Sequence, residues 1–249
     1  MKNSFAKQNY LAFTGSFKRI DLRFFLILSL DILFYFIFVQ LGNLFIKALE
    51  RKAADVDLAQ NFLGLNQQAA ASLLSSVRGF FFYLIFLAIL FLILIVIAWS
   101  IFKGMIWSVT AGKKFGLEFF KKFLLLNLIW LPAWFLLLLL AAIAIKPATA
   151  AIYLIVLSAT AFYLTNILYP LFLKESRLNK IKEAFKIGIK KLHHFIIPYA
   201  VIVFLGYAIS KAYGLIALNL SWYVFFGILL VFAAWARYYF FEIVNKISR

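Results

Sequence analysis

Long unbroken apolar runs separated by short basic stretches set the pattern of this chain. Six runs cover residues 24–46, 79–102, 123–145, 148–173, 195–218 and 222–244. Their lengths are 23–26 residues, and at about 1.5 Å per helical residue each one exceeds the roughly 30 Å hydrocarbon core of a bilayer. The run at 80–97 shows no polar alternation, which excludes the strands of a membrane β-barrel. The first run is too long for the apolar core of a signal peptide and no small-residue cleavage site follows it, so it is expected to stay as an anchor. The pattern predicts an all-α polytopic membrane protein, with a single integral membrane domain over 1–249. Its six transmembrane helices form three hairpins.

Composition sharpens this picture. Of the 249 residues, 66% are hydrophobic and 14% charged, and the mean hydropathy is +0.98. A chain this apolar has too few polar residues to cover a water-facing surface. There is no cysteine, so a disulfide scaffold is excluded. The net charge is +17, and its distribution predicts orientation. With the N-terminus inside, 20 of the 26 basic residues fall in inner segments, and only Lys47, Arg51, Lys52, Arg78, Lys146 and Lys211 fall outside. The expected location is the cell membrane, with both termini cytoplasmic.

The inner segments carry a second pattern. Each odd-numbered span follows a basic stretch that ends in a doublet: Lys18-Arg19, Lys121-Lys122 and Lys190-Lys191. Apolar residues accompany each, namely Phe13, Phe17 and Ile20, then Phe115 and Phe119 between Lys103 and Lys122. The third stretch is the clearest. Leu178, Ile181, Phe185, Ile189 and Leu192 step by three or four, opposite Arg177, Lys180, Lys182, Glu183, Lys186 and Lys190. Ser176 is the expected N-cap of that helix. The reading is three hairpins, each led by a basic amphipathic interfacial helix, as an internal repeat; positive-inside bias alone generates the same doublets. Basic faces suit an anionic inner leaflet, so Lys180, Lys182, Lys186, Lys190 and Lys191 are the expected contacts to anionic lipid or to a partner subunit. Nucleic acid is not an expected partner, because the charge is split among short juxtamembrane segments without a recognition motif. The outer loop at 47–78 holds Glu50, Asp55, Asp57, Gln60, Asn61, Gln67 and Gln68 among alanines and leucines. It is expected to be helical, with a break near Gly64.

Polar residues inside the runs are the candidate chemistry. A charge at the centre of a bilayer costs about 2.5–3.5 kcal/mol on insertion scales, so each is a functional candidate by default. Asp31 lies seven residues into the first run, Arg237 seven before the end of the sixth and Asn166 seven before the end of the fourth. All three therefore share a depth of roughly 10 Å below the boundary. Asn127 and Ser100 lie slightly shallower, and Glu242 is near the inner end of the last run. One reading is architectural: Asp31 pairs with Arg237 and Asn166 completes the hydrogen bonding. The other is a polar cavity in which Asp31 binds a proton, a cation or a basic substrate group. The architectural reading is the one adopted.

Other motifs carry little. His193 and His194 are adjacent, a spacing that sends the side chains apart, and no carboxylate stands three or four residues from either. No metal or other cofactor is expected. G-x-S-x-G, H-E-x-x-H, Walker and dinucleotide fingerprints are absent, so no catalytic residue is assigned and an enzyme is not expected. The pair Gly112 and Gly116 lies in a basic loop rather than in a span, so it is no dimerisation signal. Pro132, Pro170 and Pro198 sit near span ends, and the six tryptophans mostly read as interface anchors.

One stretch carries a resemblance. Tyr169-Pro170-Leu171-Phe172, then Lys174-Glu175, then Ala184-Phe185-Lys186-Ile187-Gly188, resembles a pattern in poorly characterised prokaryotic membrane proteins. It is similar in this to the membrane domain attached to some glycerophosphodiester phosphodiesterases. The resemblance covers residues 165–205, and the catalytic domain of those enzymes is absent, so it implies no catalytic residue here. The expected function is an integral membrane scaffold or an accessory subunit of a membrane complex. The alternative is a small-solute or ion transporter, or the permease subunit of an ATP-driven exporter, using the layer around Asp31.

Overall fold

The computed structural model describes residues 5–18, 20–54, 67–216 and 222–248. Among them there are eight helices and no strand: α1 (Phe5–Phe17), α2 (Leu22–Ala54), α3 (Gln67–Thr110), α4 (Leu117–Ala144), α5 (Pro147–Glu175), α6 (Lys180–Lys190), α7 (His193–Ile216) and α8 (Trp222–Ile247). All except α1 and α6 are long and apolar enough to cross a bilayer. The fold is that of a polytopic all-α membrane protein. The reason is elementary: lipid offers no hydrogen bonds, so each span must satisfy its own backbone. Large side chains point outward from these helices, such as Phe86, Ile143 and Phe204, each more than 60% exposed. In water such a surface would aggregate; lipid solvates it.

The 33 residues of α2 and 44 of α3 make helices of about 50 and 66 Å, well beyond the bilayer core. Residues 47–54 and 67–78 continue these two helices and form no separate excursion. The break expected near Gly64 lies outside the described residues, together with Asp55, Asp57, Gln60 and Asn61.

Two of the three basic stretches form short helices of their own, α1 and α6. The middle one does not. Residues 103–110 are the last turns of α3, and α4 begins at Leu117. The physical cause is Gly112, whose φ of +68° ends α3 in a left-handed turn. There Lys113 N donates to Ser108 O at 2.8 Å and Gly112 N to Val109 O at 3.0 Å, capping the last carbonyls. The repeat of interfacial helix plus hairpin is thus incomplete. Ser176 also differs from expectation. It closes α5 in the left-handed conformation (φ 47°), with its N–H on Phe172 O at 2.7 Å, and Asn179 precedes α6.

The chain packs as two compact units. The first comprises Met1–Ile32 and Ser100–Arg249, with α8 against α1, α5 and α7, and α5 also against α4 and α6. Its core is aromatic and aliphatic: Phe123, Leu126, Ile167, Tyr169, Phe172, Phe195, Tyr238 and Tyr239 are all buried. The second, Leu33–Trp99, is held by rings meeting between α2 and α3. Phe45 stacks on Phe91 at 4.5 Å, and Phe34 meets Trp99 edge-on at 5.5 Å.

Candidate functional site

Asp31 projects from α2 into the first unit and is 2% exposed. Arg237 of α8 grips it with two nitrogens: Nη1 donates to Oδ2 at 3.0 Å and Nη2 to Oδ1 at 3.3 Å. The planar fork of an arginine matches a carboxylate in this way, and each charged hydrogen bond is stronger than a neutral one. A second cation completes the group. Lys103 of α3 donates from Nζ to Oδ1 at 2.9 Å, with its side chain 12% exposed. Both oxygens of Asp31 are therefore engaged by cations on two other helices, and the cluster carries a formal charge of +1.

Asn166 is not part of this cluster. It sits at the hydroxyl of Tyr199 on α7. Equal depth put Asn166 and Asp31 in one layer, but helix rotation turned the amide toward α7. Lys103, absent from the sequence-based layer, takes the place expected of Asn166. A usable signal existed: Lys103 lies seven residues before Thr110, the true end of α3, the same count that marked Arg237. Ending the second span at residue 102 concealed it.

Asn127 organises a second, neutral network. Its Nδ2 donates to Ser100 Oγ at 3.1 Å, and its Oδ1 accepts from the Tyr169 hydroxyl at 2.7 Å. Asn127 and Ser100 are fully buried and Tyr169 nearly so. Three helices, α3, α4 and α5, are joined through one amide that spends both ends. Ser100 and Lys103 are three apart on α3 and share a helix face, so the neutral and charged networks occupy neighbouring turns.

The tryptophans read as interface anchors divide. Trp107, Trp130 and Trp235 are buried. Trp130 Nε1 donates to Thr165 Oγ1 at 2.8 Å and Trp235 Nε1 to Ser16 Oγ at 3.1 Å. An indole N–H with an internal acceptor has no need of the membrane surface. His193 and His194 also depart from expectation, since their rings lie 4.3 Å apart. Among the described residues no group of three His, Asp or Glu gathers to hold a metal.

The lysines of α6 separate into two sets. Lys180 is buried and bridges Glu183 at 2.6 Å and Glu175 at 3.1 Å. The hydrogen-bonded Glu183 carboxylate, followed by Glu175, holds its ammonium above the usual lysine value despite burial. Lys191 donates to Ile247 O at 2.8 Å, tying α6 to the end of α8. Each thus makes a contact within the protein. Lys182, Lys186 and Lys190 are exposed. The helix seats through Ala184, Ile187 and Gly188, and Tyr163 donates its hydroxyl to Gly188 O at 2.8 Å. Of the residues of the sequence resemblance, Tyr169, Leu171, Phe172 and Ala184 are buried in the core, Tyr169 and Phe172 against α4, and Gly188 meets α5 at Tyr163 and Leu164.

Fold and site together define a polytopic helical membrane protein with a cation-clamped carboxylate between its spans. Comparison with protein families, curated proteins and solved structures returned no match.

Proposed function

We propose that this chain is an integral membrane scaffold, or an accessory subunit of a membrane complex, with no enzymatic chemistry of its own. The observation that carries the reading is the state of Asp31. A carboxylate that binds a transported proton or cation needs a free acceptor site and little competing positive charge, whereas both oxygens of Asp31 already accept charged hydrogen bonds from Arg237 and Lys103. Buried ionic groups of this kind fix which helices meet, even where they add little net stability. The chain resides in the cell membrane with both termini in the cytoplasm, a reading supported by the distribution of basic residues.

Two measurements test this. In membranes solubilised in mild detergent, the tagged chain should run as one complex with a second polypeptide at fixed stoichiometry. Reconstituted alone, it should pass no proton or alkali-cation flux above that of empty liposomes. A chain that purifies alone and shows a flux abolished by Asp31→Asn overturns the proposal in favour of transport. Orientation is tested separately. Glu50→Cys should react with an impermeant maleimide on intact cells and Asn179→Cys should not; the inverse pattern reverses the topology.

A further inference from the structure

The exposed side of α6 has two adjoining stripes. Counting about 100° per residue from Lys182, the seated residues Lys180, Ala184, Ile187 and Gly188 centre near 190°. Phe185 and Ile189 fall between about 300° and 340°, and Lys182, Lys186 and Lys190 between 0° and about 80°; Leu178 and Leu192 are exposed in the turns just before and after the helix. Of the apolar residues that the sequence assigned to the amphipathic face, Ile181 packs partly against the core, while Ile189 is 74% and Leu192 52% exposed. Beside them the lysine row lines a cleft of about 570 Å³ shared with Asn179, Glu183 and Lys191 and with Ile247 and Ser248 at the end of α8. Glu175 and Glu183 both bridge Lys180, a trio of net charge −1, so the three lysines of the row and Lys191 still leave the cleft with an excess of positive charge.

A water-facing helix with its two flanking turns would not leave Leu178, Phe185, Ile189 and Leu192 all exposed, and a protein partner is a poor match for the lysines beside them. Interface cores between proteins are depleted in lysine, whereas helices lying in the headgroup layer pair an apolar face with a lysine flank. Lysine stems also reach from an apolar boundary to the phosphate level. We propose that α6 is a binding site for anionic phospholipid. The headgroup phosphodiester sits on Lys182, Lys186 and Lys190 at the mouth of the cleft, and the glycerol and upper acyl chains lie along Leu178, Phe185, Ile189 and Leu192. The site does not depend on the scaffold reading, since a transporter would carry it equally well.

The test uses the full-length protein, delipidated in a neutral maltoside detergent and titrated with dioctanoyl phosphatidylglycerol at low salt. The triple variant Lys182→Gln, Lys186→Gln, Lys190→Gln should bind at least about tenfold more weakly, given the attraction each basic residue contributes near a lipid surface. Removing the exposed lysines Lys47, Lys146 and Lys211 in the same way should leave affinity within about twofold, because none of them stands on α6 or lines its cleft. Ile189→Ser with Leu192→Ser should also weaken binding, while dioctanoyl phosphatidylcholine should bind poorly to the wild type. All variants alter exposed side chains, and their lipid-free melting temperatures report that they are folded. Unchanged affinity in the first triple, or equal loss in the second, overturns the site. Equal binding of the neutral lipid leaves α6 to a protein partner. Full competition by inorganic phosphate, with no effect of the serine pair, reduces it to a free-anion site. Either result rejects the lipid.

Discussion

Asp31→Asn is expected to be the most damaging single change in the polar layer, lowering stability in detergent by about 3–5 kcal/mol. The loss exceeds that of an ordinary ion pair for a structural reason. Removing the carboxylate charge leaves two cations, Arg237 and Lys103, facing one another without the carboxylate that joins them. Arg237→Gln should cost less, because Lys103 still neutralises Asp31. Lys103→Gln should cost least of the three, since it leaves a neutral bidentate pair behind. The double variant Asp31→Asn, Arg237→Gln should lose less than the sum of its singles, and adding Lys103→Gln should recover more. Thermal unfolding followed by tryptophan fluorescence measures the whole series. Strict additivity, or an Asp31→Asn protein as stable as wild type, would remove the architectural role and return the carboxylate to the transport reading.

The second large effect is expected at Gly188→Leu. A Cβ built there meets Leu164 Cδ2 at 2.8 Å and Tyr163 Cε1 at 3.4 Å, so α6 lies almost in backbone contact with α5. Alanine needs only a small shift of the Leu164 methyl, and it regains some of the helix propensity that glycine gives up. Leucine has no such room. It should cost about 1–3 kcal/mol by overpacking, and it should break the Tyr163–Gly188 hydrogen bond. Hydrogen exchange of the amides at 180–190 should then rise sharply in the leucine variant and little in the alanine one. Comparable protection in both would mean that α6 is held by its ion pairs and not by close approach. The outcome bears on lipid binding too, because the lysine row and the apolar stripe are presented only while α6 is seated.

What could be read from the residues alone followed from terms that need no neighbour. A run of 23 apolar residues is a spanning helix wherever it packs, because lipid leaves the backbone no other solution. All-helical class, six spans and the charges buried in them were legible for this reason. Asp31 and Arg237 stood out because each interrupts an apolar run at a recognisable cost. Lys103 did not, because a lysine at the edge of a run looks like its end, and only the continued helix to Thr110 turns it inward.

Tertiary structure decided rotation and contact. Asn166 shares the depth of Asp31 yet faces Tyr199, since depth follows from counting residues and azimuth does not. The sequence of α6 by itself determined an amphipathic helix with four large apolar residues, Ile181, Phe185, Ile187 and Ile189, and a lysine row. It did not determine which side packs. In water the larger apolar face would turn inward, but beside a bilayer burial against protein holds little advantage over burial in lipid. Close approach decides instead, and Ala184 and Gly188 permit it where Phe185 and Ile189 do not. Lys180 is drawn inside by two carboxylates that lie five residues before it and three after. The fold class therefore belongs to the sequence, and the partners of its polar residues belong to helix packing, which selects contacts by shape and hydrogen bonding once the hydrophobic drive between helices is gone.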